Sequence, residues 1–532
     1  MLAMGVISFA ELMLNEHRAA RASSRQAQAR SGAEAGAQLA RQFLDRTGDD
    51  QNTAGGLYDN ADRFSKQVVA DEKTKTDRVT FTIVAPKLDD SGYGITGVRN
   101  GLQDESAKIN LATILHYDKS AGTSGSTNDP GASAADDTNA HLMLMGLPGM
   151  TDAAADAILD WIDPDDTARD QGNESDFYTG MSPGYIPRNA PPTSLDELLL
   201  VCGVTPELLY GYDAVKLGYS TSDAVSAAIS GVNEQGSMDH GWAAYLTLWS
   251  AESNLKSDNS AKINLNQSDM PTLYTQLASA LDQPSAQYIV AYRMGGGTAD
   301  SSGNMDTTAF GPAVNTISSP LDLMGSQKIT LVAEGKSSGG TLANPFTADS
   351  GSMNTLLPTL FANCTTTAGT GIPGRININQ ASRTVLMCIP GMTEDIADQI
   401  IANRAMDPVS AASKPDQTCP AWPLIEGIVD LPTMKAMLPY VTSGGAIFKA
   451  QIIGQFEEGT PTARLEVILD STQKPTRIVF WKDMSHLREF PGESGGDSSG
   501  SSSSSSAGSS GASSPGAAAP SPGGQSQTTG VH

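Results

Sequence analysis

The sequence predicts an α+β fold in which one long N-terminal helix accompanies an antiparallel sheet that is interrupted by an inserted helical region. Three observations carry this expectation. Residues 1 to 45 are almost free of Gly and Pro and rich in Ala, Arg, Gln, Glu and Leu, the composition of a single helix. Strand-like stretches lie far apart in the chain, one from Arg78 and three after residue 440. Between them the same short opening recurs three times.

The stretch RVTFTIVAP starting at Arg78 alternates Val79, Phe81 and Ile83 with Thr80, Thr82 and Val84, the pattern of a half-buried strand. Near the other end, AIFKAQIIGQFE, ARLEVILD and RIVFWK are separated by EGTP and STQKP and read as three more strands joined by turns. Residues 491–532 are a Ser/Gly/Pro tail with too little apolar surface to bury, and disorder is expected there.

The repeat opens as KINLAT at Lys108, KINLNQ at Lys262 and RININQ at Arg375. Each opening precedes an apolar helical stretch, at 142–163, 278–293 and 385–404. The first and third share PGMT, and Ala155, Asp156 and Ile158 align with Ala397, Asp398 and Ile400. Asn110, Asn264 and Asn377 are placed to cap helix N-termini, and Thr151 and Thr393 to cap the helix after the Pro-Gly turn. RININQASRTVLMCIPGMTEDIADQIIANR reads as a helix-hairpin-helix-like unit. A DNA-binding unit of that kind presents backbone N–H groups of a Gly-x-Gly turn to a phosphate, with basic residues nearby. Here Thr replaces the second Gly, the first unit runs into DWIDPDD, and 34 Lys plus Arg face 59 Asp plus Glu, a formal charge of -25. That balance leaves no pool of cations for a phosphate backbone. Nucleic acid is therefore excluded as the expected partner, and the units read as packing modules. The alternative is a helix-hairpin-helix DNA-binding protein of the DNA-uptake type.

Site chemistry concentrates in one acidic stretch. Asp160, Asp163, Asp165, Asp166, Asp170, Glu174 and Asp176 fall within seventeen residues together with Gly172 and Asn173, an oxygen-rich, flexible loop of the kind calcium prefers. The spacing is not that of an EF-hand, and a solvated acidic loop is the plainer reading. Cys202, Cys364, Cys388 and Cys419 form no CxxC pair; Cys388, in VLMCIP, reads as a small buried hydrophobe, and a Cys364–Cys419 disulfide stays open. His17, His116, His141 and His240 lie in unrelated contexts, with no HExxH, no GxSxG and no phosphate-binding Gly-rich loop. Asp156 and Asp398 read as solvated carboxylates. No enzymatic activity is expected.

The long helix, the strand, the INL-type opening, DWIDPDDTARDQGNESDFY, PRNAPPTSLDELLLVCGVTPELLY, RININQAS and the closing VFWKD occur in an order that resembles general secretion pathway protein K, the large minor pseudopilin of type II secretion systems. The likeness covers about residues 1 to 490. It implies a pilin-like fold: an N-terminal pseudopilin helix over 1–45, the first part of the α+β domain over 46–107, an inserted helical domain with helix-hairpin-helix-like (SAM-like) repeats over 108–440, and closing strands over 441–490. It further implies a structural component at the pseudopilus tip, taking part in protein secretion across the outer membrane. The implied partners are the I- and J-type minor pseudopilins and the major pseudopilin. The implied location is the inner membrane, crossed once, with the bulk of the chain in the periplasm.

Two features depart from the family. The apolar run at the start reaches only about Leu14, or about 21 Å at the helical rise, against a hydrocarbon core of about 30 Å; either the start codon is set too far downstream or the anchor has been lost, and an in-frame extension upstream of Met1 is the expectation. Residues 120–140 and 219–260 read as insertions. Leu2, Val6, Phe9 and Leu12 or Met13 fall at helical spacing and are the expected partner-binding stripe. Ala19, Ala20, Ala27, Ala33, Ala35 and Ala37 are expected to let neighbouring helices pack closely.

Overall fold

The computed structural model describes residues 2–485, apart from 73, 90–91, 93–94, 122–137, 212–240, 301–303, 326, 333–339, 408 and 410–413. Helix α1 (Leu2–Leu44) is continuous. Its C-terminal half lies on a seven-stranded antiparallel sheet built from both ends of the chain. The strands are β1 (Gln67–Ala70), β2 (Val79–Leu88), β3 (Ile95–Arg99), β4 (Gln103–Asp104), β5 (Ile447–Phe456), β6 (Gly459–Asp470) and β7 (Arg477–Asp483). They run in the order β1-β2-β5-β6-β7, with β3 on β2 and β4 on β5. The chain thus leaves the sheet after Asp104 and re-enters it at Ile447.

Close approach explains the small residues of α1. Ala29, Ala33, Ala37 and Ala40 are fully buried against Phe81, Ile83, Ile452, Leu465 and their neighbours. A Cβ on Gly454 would sit 2.1 Å from the Ala29 carbonyl oxygen, so only glycine lets β5 pass under the helix. This corrects part of the expected helix-packing surface: Ala33 and Ala37 serve the chain's own sheet, Ala35 is half-buried, and Ala19, Ala20 and Ala27 are exposed. The β2 pattern is also corrected. Val79 to Ala85 are all buried, polar residues included, because Thr80 Oγ1 finds the Gln455 carbonyl and Thr82 Oγ1 accepts from Lys66 N–H.

The first turns of α1 extend free of the sheet. Val6, Phe9, Leu12 and Met13 are 48–62% exposed, and Leu2 opens the helix. No helix among the described residues is long and apolar enough to cross a membrane.

The inserted region consists of three loops closed in the same way. Ile109–Asn110 pairs in parallel with Leu246–Thr247, Ile263–Asn264 with Cys364–Thr365, and Ile376–Asn377 with Val441–Thr442. Each Asn Oδ1 accepts the backbone N–H two residues on, from Ala112, Asn266 and Asn379, at 2.8–3.0 Å. Each Thr Oγ1 lies within hydrogen-bond distance of the N–H and carbonyl two residues on, in Trp249, Thr367 and Gly444. The three asparagines therefore fix turns rather than cap helices. Part of the expected 219–260 insertion is in fact the closing edge of the first loop, where Trp242 is fully buried; residues 219–240, most of 120–140 and the 491–532 tail lie outside the described residues.

Within the loops, helices pair as α2 (Asn139–Met145) with α3 (Asp152–Ile162), α4 (Met270–Ala280) with α5 (Gln283–Met294), and α6 (Arg383–Met387) with α7 (Glu394–Asn403). Thr151 and Thr393 cap α3 and α7 as expected, accepting from Ala154 and Ile396 N–H. The expected single helix over 278–293 is broken at Leu281, because Asp282 caps a new helix that has Pro284 in its first turn. A Cβ on Gly146 would meet Cys388 Sγ at 2.6 Å, and these two positions are equivalent when the PGMT stretches are aligned. The first hairpin thus packs against the third repeat, and its Pro148 carbonyl accepts the Trp242 indole. Cys388 is buried, and all four cysteines are free, Cys364 and Cys419 included.

Four charges at the joint fasten the insert to the sheet. Lys108 Nζ lies 3.1 Å from Glu105, and Lys449 on β5 lies 4.0 Å from Glu105 and 3.7 Å from Glu466 on β6. They line a cavity of about 180 Å³ between the two parts.

Candidate metal centre

Helix α3 is buried all round from Ala154 to Ile162, and its last turn brings Asp160 inward. Asp160 is fully buried, Asp163 caps the C-terminus of the helix, and the loop then returns so that buried Glu174 meets both. One carboxylate oxygen from each of the three lies within 4.8 Å of the others. The return needs Gly172, since a Cβ there would sit 1.8 Å from Asp160 Oδ2. It is anchored by Gln171 N–H, which donates to Asp156 Oδ2 at 3.1 Å.

Three of the seven expected carboxylates converge. Asp165, Asp166, Asp170 and Asp176 are exposed. Asp165 accepts Thr167 N–H, and Asp166 accepts from Ser175 Oγ and Asn189 Nδ2, so both order the loop from outside the cluster. Among the converging group, Asp163 Oδ1 and both Glu174 oxygens are buried with no hydrogen-bond partner. Leaving such atoms unpaired in the interior is costly. An oxygen-only set with unsatisfied carboxylate atoms fits a hard divalent cation.

Burial pushes the Glu174 carboxyl up to about 7, with further pressure from Asp160, Asp163, Asp166 and Asp165. Burial likewise raises Asp160 and Asp163, against the opposing pull of Arg169. Arg169 is the member that the sequence pattern did not disclose. It bonds Asp160 Oδ1 at 2.7 Å and Asp163 Oδ2 at 2.5 Å. An arginine nine residues after Asp160 inside an otherwise acidic run was the available signal. Behind the loop, Trp161 packs edge-on to Tyr178 and Tyr185, and the two tyrosines lie tilted together, at 5.3–6.3 Å between centroids; the Trp161 indole donates to Glu197.

Asp156 is not solvated. It is buried and accepts from His141 Nδ1 at 2.9 Å, with Asp152 3.3 Å from His141 Nε2. In the third repeat the aligned residues make the same arrangement: Arg383 contacts Asp398 at 2.7 Å and Glu394 at 3.7 Å. There Asp398 is largely exposed, so one of the two carboxylates fits the solvated reading and the other does not.

Residues 107–212, which contain the whole centre, match the family described as Type II secretion system (T2SS), protein K. A search of curated proteins found no relative. Among solved structures, the chain is similar to one in the GspK-GspI-GspJ complex from the enterotoxigenic Escherichia coli Type 2 Secretion System. That likeness has 10% identity and a TM-score of 0.31, and covers 88% of this chain and 98% of that one.

Proposed function

We infer that this chain, whose residues 107–212 match type II secretion system protein K, is a minor pseudopilin that takes part in protein secretion. The observation carrying the role is the form of α1: its second half is locked to the sheet, while its first turns hold Val6, Phe9, Leu12 and Met13 out in the open. A helix bound at one end and apolar at the other is built to pack elsewhere, among helices of the same kind or in lipid. The partners we propose are the I- and J-type minor pseudopilins and the major pseudopilin. The solved relative itself comes from a complex of GspK with GspI and GspJ. The proposed location is the inner membrane, reached through the N-terminal helix, with the head in the periplasm and at the pseudopilus tip.

The three closed loops support reading 108–440 as an inserted helical domain of helix-hairpin-helix-like (SAM-like) units, flanked by pilin-like parts at 46–107 and 441–490. A formal charge of -25 leaves few cations for a phosphate backbone, which disfavours the DNA-uptake alternative. Calcium is the cation we propose at the cluster where Asp160, Asp163 and Glu174 meet, since an oxygen-only set suits it better than a metal demanding nitrogen or sulfur. Bound there, it would neutralise buried charge and pin the loop; no chemical step is asked of it.

Co-expression with candidate pseudopilins followed by pull-down tests the role. Phe9→Asp with Leu12→Asp should abolish recovery while the head keeps its melting temperature. Undiminished recovery would place the interface elsewhere.

A further inference from the structure

Arg169 stands where a cation belongs. Its guanidinium reaches Asp160 Oδ1 and Asp163 Oδ2, and its backbone N–H donates to both Asp160 oxygens at 3.3 and 3.2 Å. Gly172 leaves no room for a side chain beside the other oxygen of the same carboxylate. Both Asp160 oxygens are therefore already engaged by Arg169. What remains open is Asp163 Oδ1 and the whole carboxylate of Glu174, a residue only 6% exposed whose two side-chain oxygens have no hydrogen-bond partner.

We propose that Arg169 is a resident counter-ion that claims Asp160 and one oxygen of Asp163, reserving Asp163 Oδ1 and Glu174 for a single calcium ion. Asp160 is then a positioning residue, holding Arg169, rather than a ligand. The proposal rests on the calcium reading of this loop. Charge balance supports it: three carboxylates and one guanidinium leave a net charge of minus two, which one divalent ion neutralises. Removing the guanidinium has two opposite effects. The ion-free protein loses the cation that offsets Asp160 and Asp163, while the pocket becomes more negative and draws calcium more strongly.

Titration calorimetry on the full chain, stripped with chelator, reads both effects alongside thermal melting. Wild type should bind one calcium. Arg169→Gln should bind calcium at least about tenfold more tightly and melt lower than wild type in chelator. Arg169→Lys, which keeps the charge, should stay near wild type on both counts. Asp163→Asn and Glu174→Gln should lose binding, whereas Asp165→Asn, on the exposed side, should keep it. An Arg169→Gln chain with unchanged or weaker calcium affinity overturns the counter-ion, as does an Arg169→Lys chain that behaves like Arg169→Gln. If wild type binds no calcium, the calcium reading itself falls. The melting of Arg169→Gln in chelator then decides the counter-ion alone, and an unlowered melt overturns it.

Discussion

Glu174 shows how one buried side chain writes itself into the stability of the molecule. Burial pushes its carboxyl from 4.5 to about 7, so in chelator the folded chain holds a proton that the unfolded chain has already released. Stability from this group is therefore full below about pH 4.5 and is lost as pH rises through about 7. The span corresponds to about 3 kcal/mol at most, and the raised Asp160 and Asp163 act in the same direction. Denaturant unfolding in chelator should accordingly show falling stability between about pH 5 and 7.5, and Glu174→Gln should flatten that slope. An equal slope in the variant would assign it to other groups. At this scale the sequence displayed seven carboxylates but not which three meet. Their selection depends on Gly172 turning the loop back under α3, and a run of acids does not encode that return. The same holds for His141, whose two aspartate neighbours become visible only once α2 and α3 are folded together.

At the scale of elements, the junction of α1 and the sheet is the most demanding contact. Glycine occurs on both sides of it: a Cβ on Gly36 would meet Ile452 and Phe81 side chains at 2.7 and 2.8 Å, and one on Gly454 would meet the Ala29 and Ala33 backbone. Side chains yield more readily than backbone. Gly454→Ala should therefore cost about 3 kcal/mol, at the upper end of overpacking, and Gly36→Ala less. Gly5, with open space around it, should instead gain up to about 1 kcal/mol of local helix stability on becoming Ala. Thermal melting of the three variants checks the order, and a Gly454→Ala chain as stable as wild type would refute the close approach. The helix itself was legible from composition. Which of its alanines face the sheet was not, because an Ala stripe suits a partner helix and a sheet equally well until register is fixed.

For the molecule as a whole, the insert and the sheet belong to one compact unit, residues 1–491, and the Glu105–Lys108–Lys449–Glu466 cluster spans the joint. Glu105 is held below the usual range: its burial would raise it, but Lys108, Lys449 and Thr247 outweigh that. Glu105→Leu strands the buried Lys108 ammonium and should cost about 3–5 kcal/mol. The double variant Glu105→Leu with Lys108→Leu should cost clearly less than the two single changes added together. Additive losses would show that the pair is not coupled. Because the joint is shared, insert and sheet should unfold in a single transition in wild type.

The sequence by itself determined the parts: a long N-terminal helix, four of the strands, three Ile-Asn openings, the Thr cap that ends each PGMT stretch, and the acidic loop. These are local matters of propensity, periodicity and capping, written within a few residues. Tertiary structure alone decided how the parts close. It paired each Ile-Asn with a Thr-bearing strand 65 to 137 residues away, set Gly146 against Cys388, buried both faces of β2, and chose Asp160, Asp163, Arg169 and Glu174 out of an acidic run. Such choices depend on contacts between segments distant in sequence, whose energies are fixed only when shape, burial and charge are satisfied together.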